Sequence, residues 1–179
     1  MRIAVAPESG YSGFFLRQLE RADVAEWCAY LASEPVRLQS GGNVYTEETL
    51  LGFFNGFESP GVSSPRRLAI VDAGTKALAG TVGFHSVSAL DGRAEVTYDL
   101  APAYWGRGIA RAICRSVTEW AFDEYGFARV QATVLDTNAR SQRVLETSGF
   151  VYEGLLRNYW KMNGKPRDFR MYARIGESR

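Results

Sequence analysis

A pair of glycines on either side of Arg107 constrains this chain more than any other feature. They follow a strand-like run, Glu95-Val-Thr-Tyr-Asp-Leu100, and an Ala101-Pro102 break, and they open a long amphipathic run that begins at Ile109. Glycine takes positive φ at little cost, so Gly106-Arg107-Gly108 lets several backbone N–H groups converge on one point. The N-terminus of the following helix adds partial positive charge there. Strand, turn, glycine loop and helix in that order make an anion cradle. Glycines before a helix also occur as an ordinary tight turn, so the flanking sequence has to decide.

The flanks belong to a single domain. At 179 residues, with 46% hydrophobic and 23% charged, the chain is long enough for one substantial core and too short to expect two. A formal net charge of +1 supplies no broad field for nucleic acid or an anionic membrane, so neither partner is expected. No apolar run approaches the roughly 18 residues of a membrane span, and Met1 to Pro7 is too briefly apolar for a signal peptide; a soluble, cytoplasmic protein is expected. Cys28 and Cys114 form no C-x-x-C pair and no cluster with histidine, so neither a disulfide framework nor a metal site is expected. Cys114 reads as a small packing residue.

Hydrophobic spacing divides the chain into residues 1–12, an N-terminal extension, and residues 13–179, a mixed α/β domain. Phe14 to Glu20 reads as a strand. A helix follows from Asp23, with Glu26 in a capping arrangement and Val24, Trp27, Cys28 and Leu31 on one face. Glu34 to Tyr45 reads as irregular, Thr46-Glu-Glu starts a second helix bearing Leu50, Phe53, Phe54 and Phe57, and residues 59–65 form a loop. Arg67 to Asp72 and Ala79 to Val87 read as a hairpin. The strand from Arg93 puts Glu95, Thr97 and Asp99 on one face and Val96, Tyr98 and Leu100 on the other.

Ile109, Ile113, Val117, Trp120 and Ala121 define the long helix, which Gly126 ends. Arg129 to Leu135 is a strand, Asp136-Thr-Asn138 a turn, and Ala139 to Thr147 a short helix. Val151 to Arg157 and Phe169 to Ile175 are final strands on either side of Met162-Asn-Gly-Lys-Pro166. A dinucleotide-binding fold is excluded, because the third glycine of its fingerprint would fall at Arg111.

The run from Glu95 to Ala110, followed by Asn138-Ala-Arg-Ser141, Gly149-Phe150 and Asp168, resembles the GNAT-superfamily N-acetyltransferases. Within them it is most similar to the RimJ/RimL-like branch, which includes ribosomal-protein N-terminal acetyltransferases. The resemblance implies one domain with a central, mostly antiparallel, splayed sheet flanked by about four helices, and acetyl-CoA as co-substrate without a metal. Trp105, Gly106, Arg107, Gly108, Ile109 and Ala110 would form the pyrophosphate loop, with Trp105 read as a departure from the family's Gln or Arg. A bulge in the strand before the loop would free backbone groups near Leu100 for the pantetheine arm, and Asn138 would bond the same arm.

Transfer from a thioester to an amine needs a proton acceptor, a polarised carbonyl and a proton donor for the thiolate. Glu95 is the leading base, acting through water. An exposed carboxylate or structural salt bridge is the alternative reading. The tyrosine that many family members carry seven residues after the asparagine is Leu145 here, and the branch instead nominates Ser141 as acid. His85, Tyr159 and Asp168 would contact the acceptor, a peptide N-terminus in first place or a small amine. The missing tyrosine also leaves open a non-catalytic acyl-CoA-binding regulatory module. Monomer and homodimer are both compatible with the final strands.

Overall fold

The computed structural model describes residue 3, residues 5–59 and residues 61–177. Met1, Arg2, Ala4, Pro60, Ser178 and Arg179, which include part of the expected extension and one residue of the expected loop, lie outside the described residues.

A seven-stranded sheet runs in the order β1 (Phe14–Gln18), β2 (Arg66–Asp72), β3 (Leu78–Ser88), β4 (Arg93–Leu100), β5 (Arg129–Leu135), β7 (Lys165–Ile175), β6 (Val151–Met162). All neighbouring pairs are antiparallel except β4 with β5. That parallel connection is made by α4 (Ile109–Tyr125), the crossover helix a parallel pair requires. On one sheet face Ile109, Ile113, Val117 and Ala121 of α4 are buried against Val82, Phe84, Val96 and Val130. Leu145 of α5 (Ala139–Thr147) joins the same core. The opposite face carries α1 (Val24–Leu31), α2 (Glu34–Gln39) and α3 (Glu47–Glu58), whose Trp27, Leu31, Leu50 and Phe54 pack on Ala69, Val71 and Leu78. Among the described residues no helix is long and apolar enough to cross a membrane.

Several local expectations change. Five α-helices flank the sheet, because Glu34–Gln39 is helical where an irregular stretch was expected. Six residues with one buried position, Val36, are too few to display a helical period, and the signs left are Ser33 in extended backbone and a proline in the first turn. Asp23 does not cap α1; its carboxylate takes two bonds of 2.7 Å from Arg17 and one of 2.8 Å from the Glu20 N–H. β6 and β7 continue to Met162 and from Lys165, so the expected separating segment shrinks to Asn163-Gly164. Both residues take positive φ, 50° and 74°, as a two-residue hairpin turn requires. The register shift beside β4 lies in β3, between His85 and Ser88, where Ser86 has φ of 49°; β4 itself pairs without interruption from Glu95 to Leu100.

Gly83 marks the tightest point of the sheet. A Cβ there would lie 1.9 Å from the Arg66 carbonyl oxygen, a backbone atom that cannot swing aside. Gly83→Ala is expected to cost about 3 kcal/mol, as other overpacked cores do; urea unfolding with an unchanged midpoint would contradict the packing described.

Candidate active site

The β4–β5 ladder covers only Arg93–Glu95 opposite Arg129–Gln131. Beyond it the strands separate, and the rest of β4 has a neighbour on one side alone. The Ala101 N–H donates to the Ala79 carbonyl at 2.9 Å, so Leu100, one residue back, turns its own N–H and carbonyl toward the opened side. The Leu100 carbonyl accepts the Trp105 indole N–H at 2.8 Å, and the Arg140 guanidinium lies 4.8 Å from the centre of the same indole. Trp105 therefore pins the loop to the end of β4 and meets α5 across the gap. In the family's loop pattern, Gln or Arg followed by two residues, Gly, one residue and Gly or Ala, the glycines are Gly106 and Gly108, so the Gln or Arg position falls at Ala103, which corrects the reading of Trp105 as the replaced residue.

At the loop Gly106 and Gly108 both have positive φ, 75° and 80°, and nothing lies within 4 Å of where a Cβ would sit on either. The cradle is thus open, and the unpaired N–H groups of the first turn of α4, a helix of 17 residues, face its mouth. Ile109 is buried beneath it and Ala110 packs on the same core. The Arg107 guanidinium does not stand free: it lies 5.7 and 5.8 Å from the rings of Phe14 and Tyr104.

On the far side of the gap Asn138 caps α5. Its Oδ1 accepts the Ser141 N–H at 3.1 Å, and its Nδ2 donates to the Gln39 carbonyl at the end of α2 at 3.0 Å. The amide expected to serve the pantetheine arm is therefore tied to α2 here. Ser141 Oγ lies 2.9 Å from the hydroxyl of Tyr98, a β4 residue that sequence reasoning gave no role. Burial holds the Tyr98 phenol well above its ordinary value, so it stays a donor. Leu145 is buried in the core, and nothing on α5 replaces the missing tyrosine at that turn.

The other face of β4 holds Glu95. It is 5% exposed, and its Oε1 accepts from Thr133 Oγ1 at 2.5 Å and the Thr133 N–H at 3.2 Å, while Gln131 Nε2 reaches Oε2 at 3.4 Å. It is neither an exposed carboxylate nor half of a salt bridge with lysine or arginine. His85, its partner across β3, has Nε2 at 3.8 Å from Oε1 and a side chain 39% exposed. Burial pushes the imidazole below the ordinary 6.5; the Glu95 carboxylate acts the other way and Arg67 adds to the lowering.

Further along the face, Asp99 accepts from Arg67 at 2.5 Å, from Thr81 Oγ1 at 2.8 Å, and from the Tyr30 hydroxyl. That cluster joins four elements and was not legible in the sequence, because its members are 14 to 69 positions apart. Asp168 sits within β7, where Oδ1 accepts the Asn158 N–H at 2.8 Å at the register shift of β6. It shapes the neighbouring strand. Tyr159, beyond the expected end of its strand at Arg157, lies on β6 with its ring 5.8 Å from Phe169 and 6.2 Å from Trp160. Cys114 is buried in the core, which pushes its thiol up to about 12.

Residues 14–151 match the acetyltransferase (GNAT) domain family. The chain belongs to the GNAT acetyltransferases. Members of this family use acetyl-CoA. Among its relatives is an uncharacterized N-acetyltransferase of Bacillus subtilis, YoaA, 38% identical over 99 residues; the match spans 55% of this chain and 56% of YoaA, about half its length. Solved GNAT structures share the fold. The spermidine N-acetyltransferase of Vibrio cholerae, in complex with CoA and spermine, superposes with a TM-score of 0.79 over 92% of this chain and 96% of that one, at 23% identity. The ribosomal-protein-S5-alanine acetyltransferase of Vibrio fischeri gives 0.79 over 93% and 95%, at 21% identity.

His85 is the single histidine of this GNAT chain, so its titration can be read without assignment. Its NMR midpoint is expected below 6.5, and Glu95→Gln should lower it further, since the carboxylate is what favours the imidazolium. With the folded value below the unfolded one, the unfolded chain binds this proton more readily. The group's contribution to stability is therefore lost as pH falls through that window. A midpoint at or above 6.5, or a rise in Glu95→Gln, would contradict the geometry.

Proposed function

We propose that the protein is an acetyl-CoA-dependent N-acetyltransferase that acts on a primary amine by direct transfer within a ternary complex, with a peptide α-amine as the favoured acceptor. The observation that carries this reading is the position of β4. One end leads into an open glycine cradle, the opened edge leaves the Leu100 N–H without a strand partner, and one face carries a buried carboxylate beside a partly exposed histidine.

The cradle suits a pyrophosphate-bearing coenzyme: Gly106 and Gly108 leave open space, and the backbone amides from Gly106 to Ala110 would hold the phosphates, the Trp105 N–H being spent on the Pro102 carbonyl at 3.1 Å. When bound, acetyl-CoA supplies a thioester whose acetyl carbon is the electrophile. The Glu95–His85 pair takes the proton that the amine releases as the N–C bond forms and the C–S bond breaks. Ser141, its Oγ facing the Tyr98 hydroxyl, returns a proton to the departing sulfur. A covalent acyl-enzyme has no support in Cys114, whose buried thiol is held near 12.

The acceptor preference rests on charge. A polyamine presents several ammonium groups, whereas Asp99 is engaged with Arg67 and Asp168 with the Asn158 N–H, so neither is offered to a second ammonium. An α-amine, with a pKa of about 8, also asks less of a base than a lysine at about 10.4. Tyr159, Trp160 and His85 would border a peptide, and spermidine is the rival acceptor. Thiol release with acetyl-CoA and a panel of N-terminal peptides, polyamines and amino acids tests the reading. Turnover is expected with peptides, and Glu95→Gln should reduce kcat about a hundredfold. Coenzyme binding without turnover on any amine would favour the acyl-CoA-binding module, consistent with Leu145 at the usual tyrosine position.

A further inference from the structure

The segment before β1 is folded against the glycine loop. Glu8 is tied to α4, where the Ser116 hydroxyl donates to its carbonyl at 2.6 Å. Buried Ser9 holds the turn by donating to the Phe14 carbonyl at 2.8 Å. Gly10 has φ of 68°, and a Cβ there would lie 3.3 Å from both the Ala112 carbonyl oxygen and Ser116 Cβ, so the segment crosses α4 at the one residue that fits. These ties deliver Tyr11 to the loop. Its hydroxyl donates to the Arg107 carbonyl at 2.8 Å, across 96 positions of sequence, with its ring edge-on to Phe14 at 5.8 Å.

The consequence follows from peptide geometry. None of the described peptide bonds is cis, and in a planar trans peptide the carbonyl and the next residue's N–H point in opposite directions. A hydroxyl holding the Arg107 carbonyl on the strap side therefore turns the Gly108 N–H away from it. Gly106 and Gly108, both at positive φ, have open space where a Cβ would sit, so neither glycine flanking Arg107 braces this peptide. The Arg107 guanidinium over Phe14 and Tyr104 holds the same residue from its side chain.

We propose that Tyr11 is a positioning residue for coenzyme binding: its hydroxyl fixes the Arg107–Gly108 peptide so that the Gly108 N–H is set to donate to a phosphate oxygen. This rests on the assignment of the glycine loop to the coenzyme pyrophosphate. In this role Tyr11 acts through the loop, by way of the Arg107 carbonyl. Its contribution is to remove the reorientation that an unbraced glycine peptide would undergo on each binding event.

Tyr11→Phe removes the hydroxyl and keeps the ring. Calorimetric titration with coenzyme A should show affinity falling about fivefold to tenfold, the worth of one hydrogen bond. In 15N-labelled protein the Gly108 amide should move strongly on addition of coenzyme A in the wild type and clearly less in the variant. Melting temperatures of the free proteins should agree closely. Equal affinities, or an undiminished Gly108 response, would overturn the role of Tyr11 while leaving the loop assignment standing; a fall in affinity with a matching fall in melting temperature would reduce it to general support. A wild type that does not bind coenzyme A, or binds without perturbing Gly108, would overturn the loop assignment and this proposal with it.

Discussion

The short parallel ladder between β4 and β5 is the constraint on which the rest of this structure depends. Parallel strands need a crossover, and α4 provides it, but only three residue pairs are joined before the strands part. Had the ladder continued, the backbone from Val96 to Leu100 would be spent on β5, and the cradle would be an isolated turn. Because it stops, one stretch of chain offers unpaired backbone, a glycine loop and a helix N-terminus in succession. The buried faces of β4 and α4 hold that opening in place, with Val96, Ile113 and Val117 in one core.

Opposite faces of β4 then carry opposite chemistry. Even-numbered residues face α4 and α5, where Tyr98 meets Ser141; odd-numbered ones face α1 to α3, where Glu95 meets Thr133 and His85, and Asp99 meets Arg67. The period of two along the strand thus separates a hydroxyl pair from a carboxylate group by the thickness of a backbone. An acceptor and a thioester approaching from the two sides would meet at the gap. Asn138, bonded to the Gln39 carbonyl, joins α2 to the same gap.

Much of this was legible beforehand. The long helix, the glycine loop, the hairpin of β2 and β3 and the alternation of β4 follow from local periodicity, and the structure agrees within a residue or two. The family likeness pointed to Asn138 and Ser141, and the place of Glu95 on the strand before the loop pointed to Glu95; Glu95 lies in the last pair of the β4–β5 ladder, and Asn138 and Ser141 at the start of α5. What escaped was either too short or too distant. The six-residue α2 has no period to read, and Asn163-Gly164 is a hairpin signal that the neighbouring Pro166 obscured. The Asp99 cluster and the Tyr11 bond join residues that no local pattern connects. Trp105 was read only as a departure from the family's Gln or Arg, yet its indole N–H is a donor, aimed at the Leu100 carbonyl.

A crystal structure grown with coenzyme A tests the central claim most directly. The account predicts the pyrophosphate on the backbone amides of residues 106–110 and the pantetheine arm in the gap between β4 and β5 beside Leu100, with its sulfur between Ser141 and the Glu95 face. Coenzyme bound elsewhere, or a gap closed by continued pairing of β4 with β5, would contradict it.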